Sequence, residues 1–177
     1  MAIARTGSMP HFAALYLRLA LAAGFLTSVS DRFGLWGAPG RTNVAWGDFQ
    51  RFTAYTGQLN PWVPTALIPP LAWFVTEAEI VLGFALLLGL RTRYAALASG
   101  VLVGLFALGM TVGTGLKAAL NYSVFAASAG AFALASVDSN SWSIDALLRR
   151  GHQSRPLADR SERTRHEVEH NTRRQRL

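Results

Sequence analysis

The chain has 177 residues, 51% of them hydrophobic and 15% charged, with a formal net charge of +7 and no cysteine. That length suits one ordinary domain. The missing thiols exclude a disulfide framework, thiolate-held iron–sulfur and zinc sites and covalently attached c-type haem, so any redox role rests on an organic cofactor, a non-thiolate metal site or a partner protein.

The charges are unevenly spread. Lys117 is the only charged residue from Tyr94 to Val137, whereas Arg149 to Leu177 carries nine Arg and four acidic residues. A water-facing domain interleaves charge along its whole surface. An apolar body with a basic tail points instead to lipid as the solvent.

Spanning a bilayer by helix takes about 20 mostly apolar residues. The first such segment is 12–30, interrupted by Arg18. Ser28-Val29-Ser30 resembles a signal-peptide cleavage site, but Arg18 breaks the apolar core such a peptide needs, so a retained helix is expected. The segment from Asp31 to Pro64 is long and aromatic, with Trp36, Trp46, Phe49, Phe52, Tyr55 and Trp62. Trp46, Phe49 and Phe52 recur every three residues, and Asn43 is placed to cap a short helix there. Two placements stand open: along the outer membrane interface, where Trp rings favour the headgroups, or folded over the bundle mouth.

The second span is 65–90, with Pro69-Pro70 near its start and Glu77 and Glu79 inside it. The third, 94–113, carries no charge and holds two G-x-x-x-G spacings, Gly100–Gly104 and Gly109–Gly113. Such spacing allows close helix approach, within the chain or across a homo-oligomer; packing within the chain is the expectation. The fourth, 118–137, is rich in Ala and Ser. Only Arg91-Thr92-Arg93 separates the second and third spans, and a few residues around Lys117 separate the third and fourth. Connections this short force antiparallel neighbours. The expected fold is an all-α integral membrane four-helix up-down bundle over 1–148, with a long outer loop between helices one and two. Residues 149–177 form a basic, disordered cytoplasmic tail.

Arg5, Arg91, Arg93 and the tail arginines fall on one side of that bundle; Arg32, Arg41, Arg51 and Lys117 fall on the other. Positive charge marks the cytoplasmic face, so both termini are expected in the cytoplasm, with Arg91 and Arg93 as inner-loop topology determinants. SWSIDALLRR reads as an inner-face helix, and the tail arginines suit anionic lipid.

The two glutamates in span two carry the chemical interest. An ionised carboxylate at mid-membrane costs about 3 kcal/mol, and a strongly apolar residue returns about 0.5. The eleven Leu, Ile, Val and Phe between Leu71 and Leu90 therefore return about 5 kcal/mol, which two ionised Glu would cancel. Two residues apart is about 200° around a helix, so the pair cannot share one pocket. Glu77 lies nearer the outer surface, within reach of water or Lys117, while Glu79 is expected near the bilayer middle and in need of a partner. The preferred arrangement is an Arg18–Glu79 pair, with Asn121 or Tyr122 completing its shell. Such a pair is either a clasp that fixes helix register or a quinone or proton site between helices; the alternative is an Arg18 that snorkels to the inner headgroups.

The tail contains HEVEH, residues 166–170, which matches a zinc-binding pattern. It lies in an Arg-rich stretch with no third ligand and no core, so no metal site is expected. Nine arginines without interleaved aromatics give no reason to expect nucleic acid as a partner.

LYLRLALAAGF with its Arg18, the block TEAEIVLGFALLLGLRTRYAAL, the NYS opening of helix four and the ending SVDSNSWSIDALL together resemble the DoxX/DoxD family of small membrane proteins, over about Pro10 to Leu148. That resemblance implies a four-helix inner-membrane protein linked to redox or sulfur metabolism. It would be a quinone-linked subunit of an oxidoreductase, or a docking partner of one. Arg18, Glu79, Arg91 and Arg93 would be the family's polar positions, and no catalytic residue carries over. A non-catalytic membrane scaffold or assembly factor and a small-solute or proton carrier are the competing readings.

Overall fold

The computed structural model describes residues 9–137, and among them every regular element is helical. In chain order these are α1 (Met9–Arg32), α2 (Phe49–Leu59), a 3-10 turn (Thr65–Leu67), α3 (Ile68–Leu88), α4 (Thr92–Gly113), α5 (Leu116–Asn121) and α6 (Val124–Ser136). The expected SWSIDALLRR helix, the basic tail and HEVEH lie outside the described residues.

Among the described residues three stretches are long and apolar enough to cross a membrane: His11–Arg32, Thr65–Leu88 and Thr92–Gly113. Exposed Leu, Val and Phe cover their outer faces, as on Val81 and Phe84 of α3 and on Leu105 and Leu108 of α4. Such a surface fits lipid and not water. The expected continuous helix over 118–137 is interrupted. Tyr122 ends α5, and Ser123 takes a left-handed φ of 55° before α6 begins. The 13 residues of α6 rise about 20 Å at helical pitch, less than the roughly 30 Å of a hydrocarbon core.

Local chemistry sets the helix ends. Pro69 and Pro70 sit in the first turn of α3, where a missing N–H costs nothing. Gly89 ends α3 in the left-handed conformation (φ 69°), and the Leu90 amide returns to the Ala85 carbonyl at 2.8 Å. One more left-handed residue, Arg91 (φ 42°), turns the chain directly into α4.

Packing follows small residues. A Cβ added at Gly83 would stand 3.0 Å from Leu26, which records how closely α1 and α3 approach. α4 meets α6 at Gly100 and Gly104: a Cβ at Gly100 would be 2.9 Å from the Phe132 ring, and one at Gly104 3.2 Å from Ser128 Oγ. The Ser128 hydroxyl donates to the Gly100 carbonyl at 2.7 Å. Gly109 and Gly113 instead admit the C-terminal end of α2, at Gln58 and Leu59. Both G-x-x-x-G spacings thus serve packing within the chain. The main core runs through Phe25, Leu86, Ala96, Val103 and Leu134.

The segment after α1 folds over the bundle. α2 is capped by Asp48, whose carboxylate accepts from the Arg51 amide at 2.7 Å, and not by Asn43, which occupies a left-handed turn (φ 66°). Phe52, Thr56 and Leu59 form its buried face. Phe52 packs with Ala72 and Val75 of α3 and Phe106 of α4, while Leu59 packs with Met110 and Ala119.

Candidate functional site: a capped ion pair

α1 ends at Arg32, and its last turn meets the middle of α3. Arg32 Nη2 lies 2.6 Å from Glu79 Oε2, with both side chains almost wholly buried. Arg32 Nη1 donates to Thr76 Oγ1 at 2.8 Å, and the Thr76 hydroxyl donates on to the Ala72 carbonyl at 2.8 Å. Thr76 and Glu79 are three residues apart, so both point from one face of α3. The guanidinium lies 3.6 Å from the centre of the Phe52 ring and 5.4 Å from that of Trp46. The two rings meet edge-on, 5.2 Å apart. Flat stacking of Arg on an aromatic face is favourable, and more so away from water.

Asp31 fastens the roof. Its Oδ2 accepts the backbone amides of Ala45 and Trp46 at 3.2 and 2.8 Å. That bond fixes Trp46 beside Arg32. Asp31 Oδ1 and Arg32 Nε are buried without a hydrogen-bond partner among the described residues.

The polar residues singled out in the sequence are differently placed. Glu79 is buried, and its ion-pair partner is Arg32 where Arg18 was expected. Arg18 is also buried, but it lies 14 residues before Arg32 on the same helix, roughly 21 Å at helical rise. The expected pairing rested on the depth of each residue in its own span. Instead the end of α1 meets the middle of α3, and α2 with the loop before it packs on the first half of α3. Glu77 is exposed on the other side of α3, as its 200° offset requires. Lys117, Asn121 and Tyr122 are exposed along α5 and the α5–α6 break, and they do not join the Glu79 shell. Arg91 and Arg93 are exposed at the α3–α4 turn. The residues that complete the site are Asp31, Arg32, Trp46, Phe52 and Thr76. A legible signal for them was the Asp31-Arg32 pair closing the first apolar run.

The fold and site define a helical membrane protein whose buried ion pair is sealed by an aromatic cap. A family model described as methylamine utilisation protein MauE matches residues 10–121, well over half of the chain. The chain belongs to that family. The DoxX/DoxD resemblance is thereby corrected. An Arg in the first helix, a Glu in the next and a tight Arg-bearing turn are economical solutions for any small membrane bundle and do not discriminate between such families. No curated protein and no solved structure matches the chain.

Proposed function

We propose that the chain is a membrane-embedded component of methylamine utilisation that serves a redox enzyme as subunit or docking partner. The family match carries this reading, because it spans both halves of the capped ion pair. Oxidising an amine carbon releases electrons, and cofactors or partner proteins carry that chemistry. With no cysteine, this chain cannot supply thiol–disulfide exchange itself. In this reading it crosses the inner membrane four times, α5 and α6 together forming the fourth crossing. Both termini and the Arg91–Arg93 turn then face the cytoplasm, and the α2 cap faces outward. Deleting the gene should abolish growth on methylamine as nitrogen source and spare growth on ammonium. Undiminished growth on methylamine overturns the proposal.

A second reading makes the ion pair a quinone site, and the buried Arg32 Nε favours it. An unfilled N–H beside two aromatic rings suits a flat carbonyl acceptor. A bound quinone would supply two-electron transfer, while Arg32 would hold one of its carbonyls at the edge of the Phe52 and Trp46 cap. Replacing both Arg32 and Glu79 by Met separates the readings. If the double variant accumulates and still supports growth on methylamine, the pair is a structural clasp. If it accumulates but fails to support growth, the pair acts in function.

A further inference from the structure

Two observations mark where water meets the α1–α3 face. The first is Glu77, exposed on α3 eleven residues before Leu88. A carboxylate on a lipid-facing surface is expelled from hydrocarbon toward headgroups or water. The second is the chain after Arg32, which leaves helical geometry and folds back along α1. Trp36 Nε1 donates to the Thr27 carbonyl at 3.2 Å, and Asp31 holds the amides of Ala45 and Trp46. This loop exposes Arg41, Thr42 and Asn43, and irregular backbone facing lipid does not occur within hydrocarbon.

At the same level lies an aromatic stack. Phe49 sits 4.3 Å from Trp73 and 5.9 Å from Phe33, ring centre to ring centre. Phe33 and Trp73 are each about half exposed. Trp73 is one turn before Glu77 on the same face. A half-exposed aromatic group beside a polar loop is the composition of a membrane interface. Phe74 is exposed beside Trp73, within the same interfacial level, and one turn beyond Glu77 the exposed residues of α3 are Val81 and Phe84. On α4, however, the exposed apolar row continues through Leu105, Leu108 and Val112. Counted from the α3–α4 turn, Leu108 lies about 24 Å along its helix and Glu77 about 16 Å along its own.

We propose that the membrane–water boundary is oblique to this bundle: on the α1–α3 face it dips to the level of Glu77, anchored in lipid headgroups by Phe33, Phe49 and Trp73. On this face only about 16 Å of α3 separates Glu77 from the α3–α4 turn, so the roughly 30 Å hydrocarbon is locally thinned there, and the Arg32–Glu79 pair lies within about one helical turn of water, beneath the cap and not at the bilayer centre. This rests on the reading that α1, α3 and α4 cross a bilayer.

The absence of native cysteine makes the test clean. Single-cysteine variants at Phe74, Glu77, Val81, Leu105 and Leu108 are labelled with a membrane-impermeant maleimide, in native membranes broken open so that reagent reaches both faces. Thiols react as thiolates, which form in water and not in hydrocarbon. Glu77→Cys and Phe74→Cys are expected to label at least about tenfold faster than Val81→Cys, Leu105→Cys and Leu108→Cys. Phe74→Cys carries the same reading if Glu77→Cys does not accumulate. The proposal is overturned if Phe74→Cys and Glu77→Cys label as slowly as Val81→Cys, or if Leu108→Cys labels as fast as Glu77→Cys. Fast labelling at all five positions overturns the bilayer placement itself, and the proposal with it.

Discussion

Arg32, the last residue of α1, and Glu79, midway along α3, form a contact of 2.6 Å that joins the two helices inside the bundle. Arg32 also reaches Thr76 and the faces of Phe52 and Trp46, so one guanidinium links α1, α2, α3 and the loop between α1 and α2. Removing one partner leaves a buried charge uncompensated, at a cost of about 3–5 kcal/mol. Glu79→Met and Arg32→Met are each expected to lower the melting temperature in mild detergent sharply. The Arg32→Met/Glu79→Met double variant should recover most of that loss, because it buries no charge. Melting of the two singles and the double gives the coupling directly, and purely additive losses would show that the contact carries no specific interaction.

The Asp31 carboxylate holds the cap through the amides of Ala45 and Trp46. Hydrogen bonds to a charged group contribute about 1.5–3 kcal/mol each. Asp31→Ala should therefore release the loop while leaving α3 and α4 packed. Trypsin cleavage at Arg41, which is exposed in that loop, reads the release. The expected result is markedly faster cutting at Arg41 with little change in global melting. Unchanged cutting would mean that the aromatic contacts alone hold the cap.

Apolar run length made the three long helices legible, and Pro69-Pro70 and Gly89 marked the ends of α3 as local rules require. The need of Glu79 for a buried partner was legible too, from the cost of a carboxylate among apolar residues. The partner was not. Choosing between Arg18 and Arg32 depends on how far α1 slides along α3, and that offset is a matter of tertiary packing, as where Leu26 and Phe25 of α1 lie against Gly83 of α3. The break at Ser123 was equally hidden. VFAASAGAFALAS continues the apolar composition of the residues before it, and a single left-handed residue leaves no compositional trace.

Tyr55 gives the bundle an alkaline limit. Burial, and secondarily the nearby Tyr122, push its phenol above the usual tyrosine range, and a hydrogen bond with Thr114 pulls the other way. The folded protein thus holds the phenolic proton more tightly than the unfolded chain does. Stability from this group is full below the unfolded pKa near 10 and is lost as pH rises from there through the folded value. Melting temperatures in detergent between pH 8 and 11 should show a steeper alkaline decline for the native protein than for Tyr55→Phe. Parallel curves would remove Tyr55 as the cause. At neutral pH, Tyr55→Phe should cost about 1 kcal/mol for the lost hydrogen bond.

Three glycines on long helices should respond oppositely to one added methyl group. At Gly113 a Cβ would overlap the Gln58 carbonyl and stand 2.8 Å from Leu59 Cα, both of them backbone atoms that cannot rotate away. Gly113→Ala is therefore expected to push α2 off α4 at a cost of about 1–3 kcal/mol, as overpacking does. At Gly100 the neighbour is the ring of Phe132, 2.9 Å away. That ring is partly exposed and has room to turn outward, so Gly100→Ala should cost less than Gly113→Ala. At Gly24 nothing lies within 4 Å of the added atom. Gly24→Ala should raise stability by up to about 1 kcal/mol through helix propensity alone. Melting of the three variants side by side tests the register of α2 and α6 on α4. The order Gly24→Ala most stable, Gly100→Ala intermediate and Gly113→Ala least stable is required, and a Gly113→Ala protein as stable as the native one would show that α2 does not seat against Gly113.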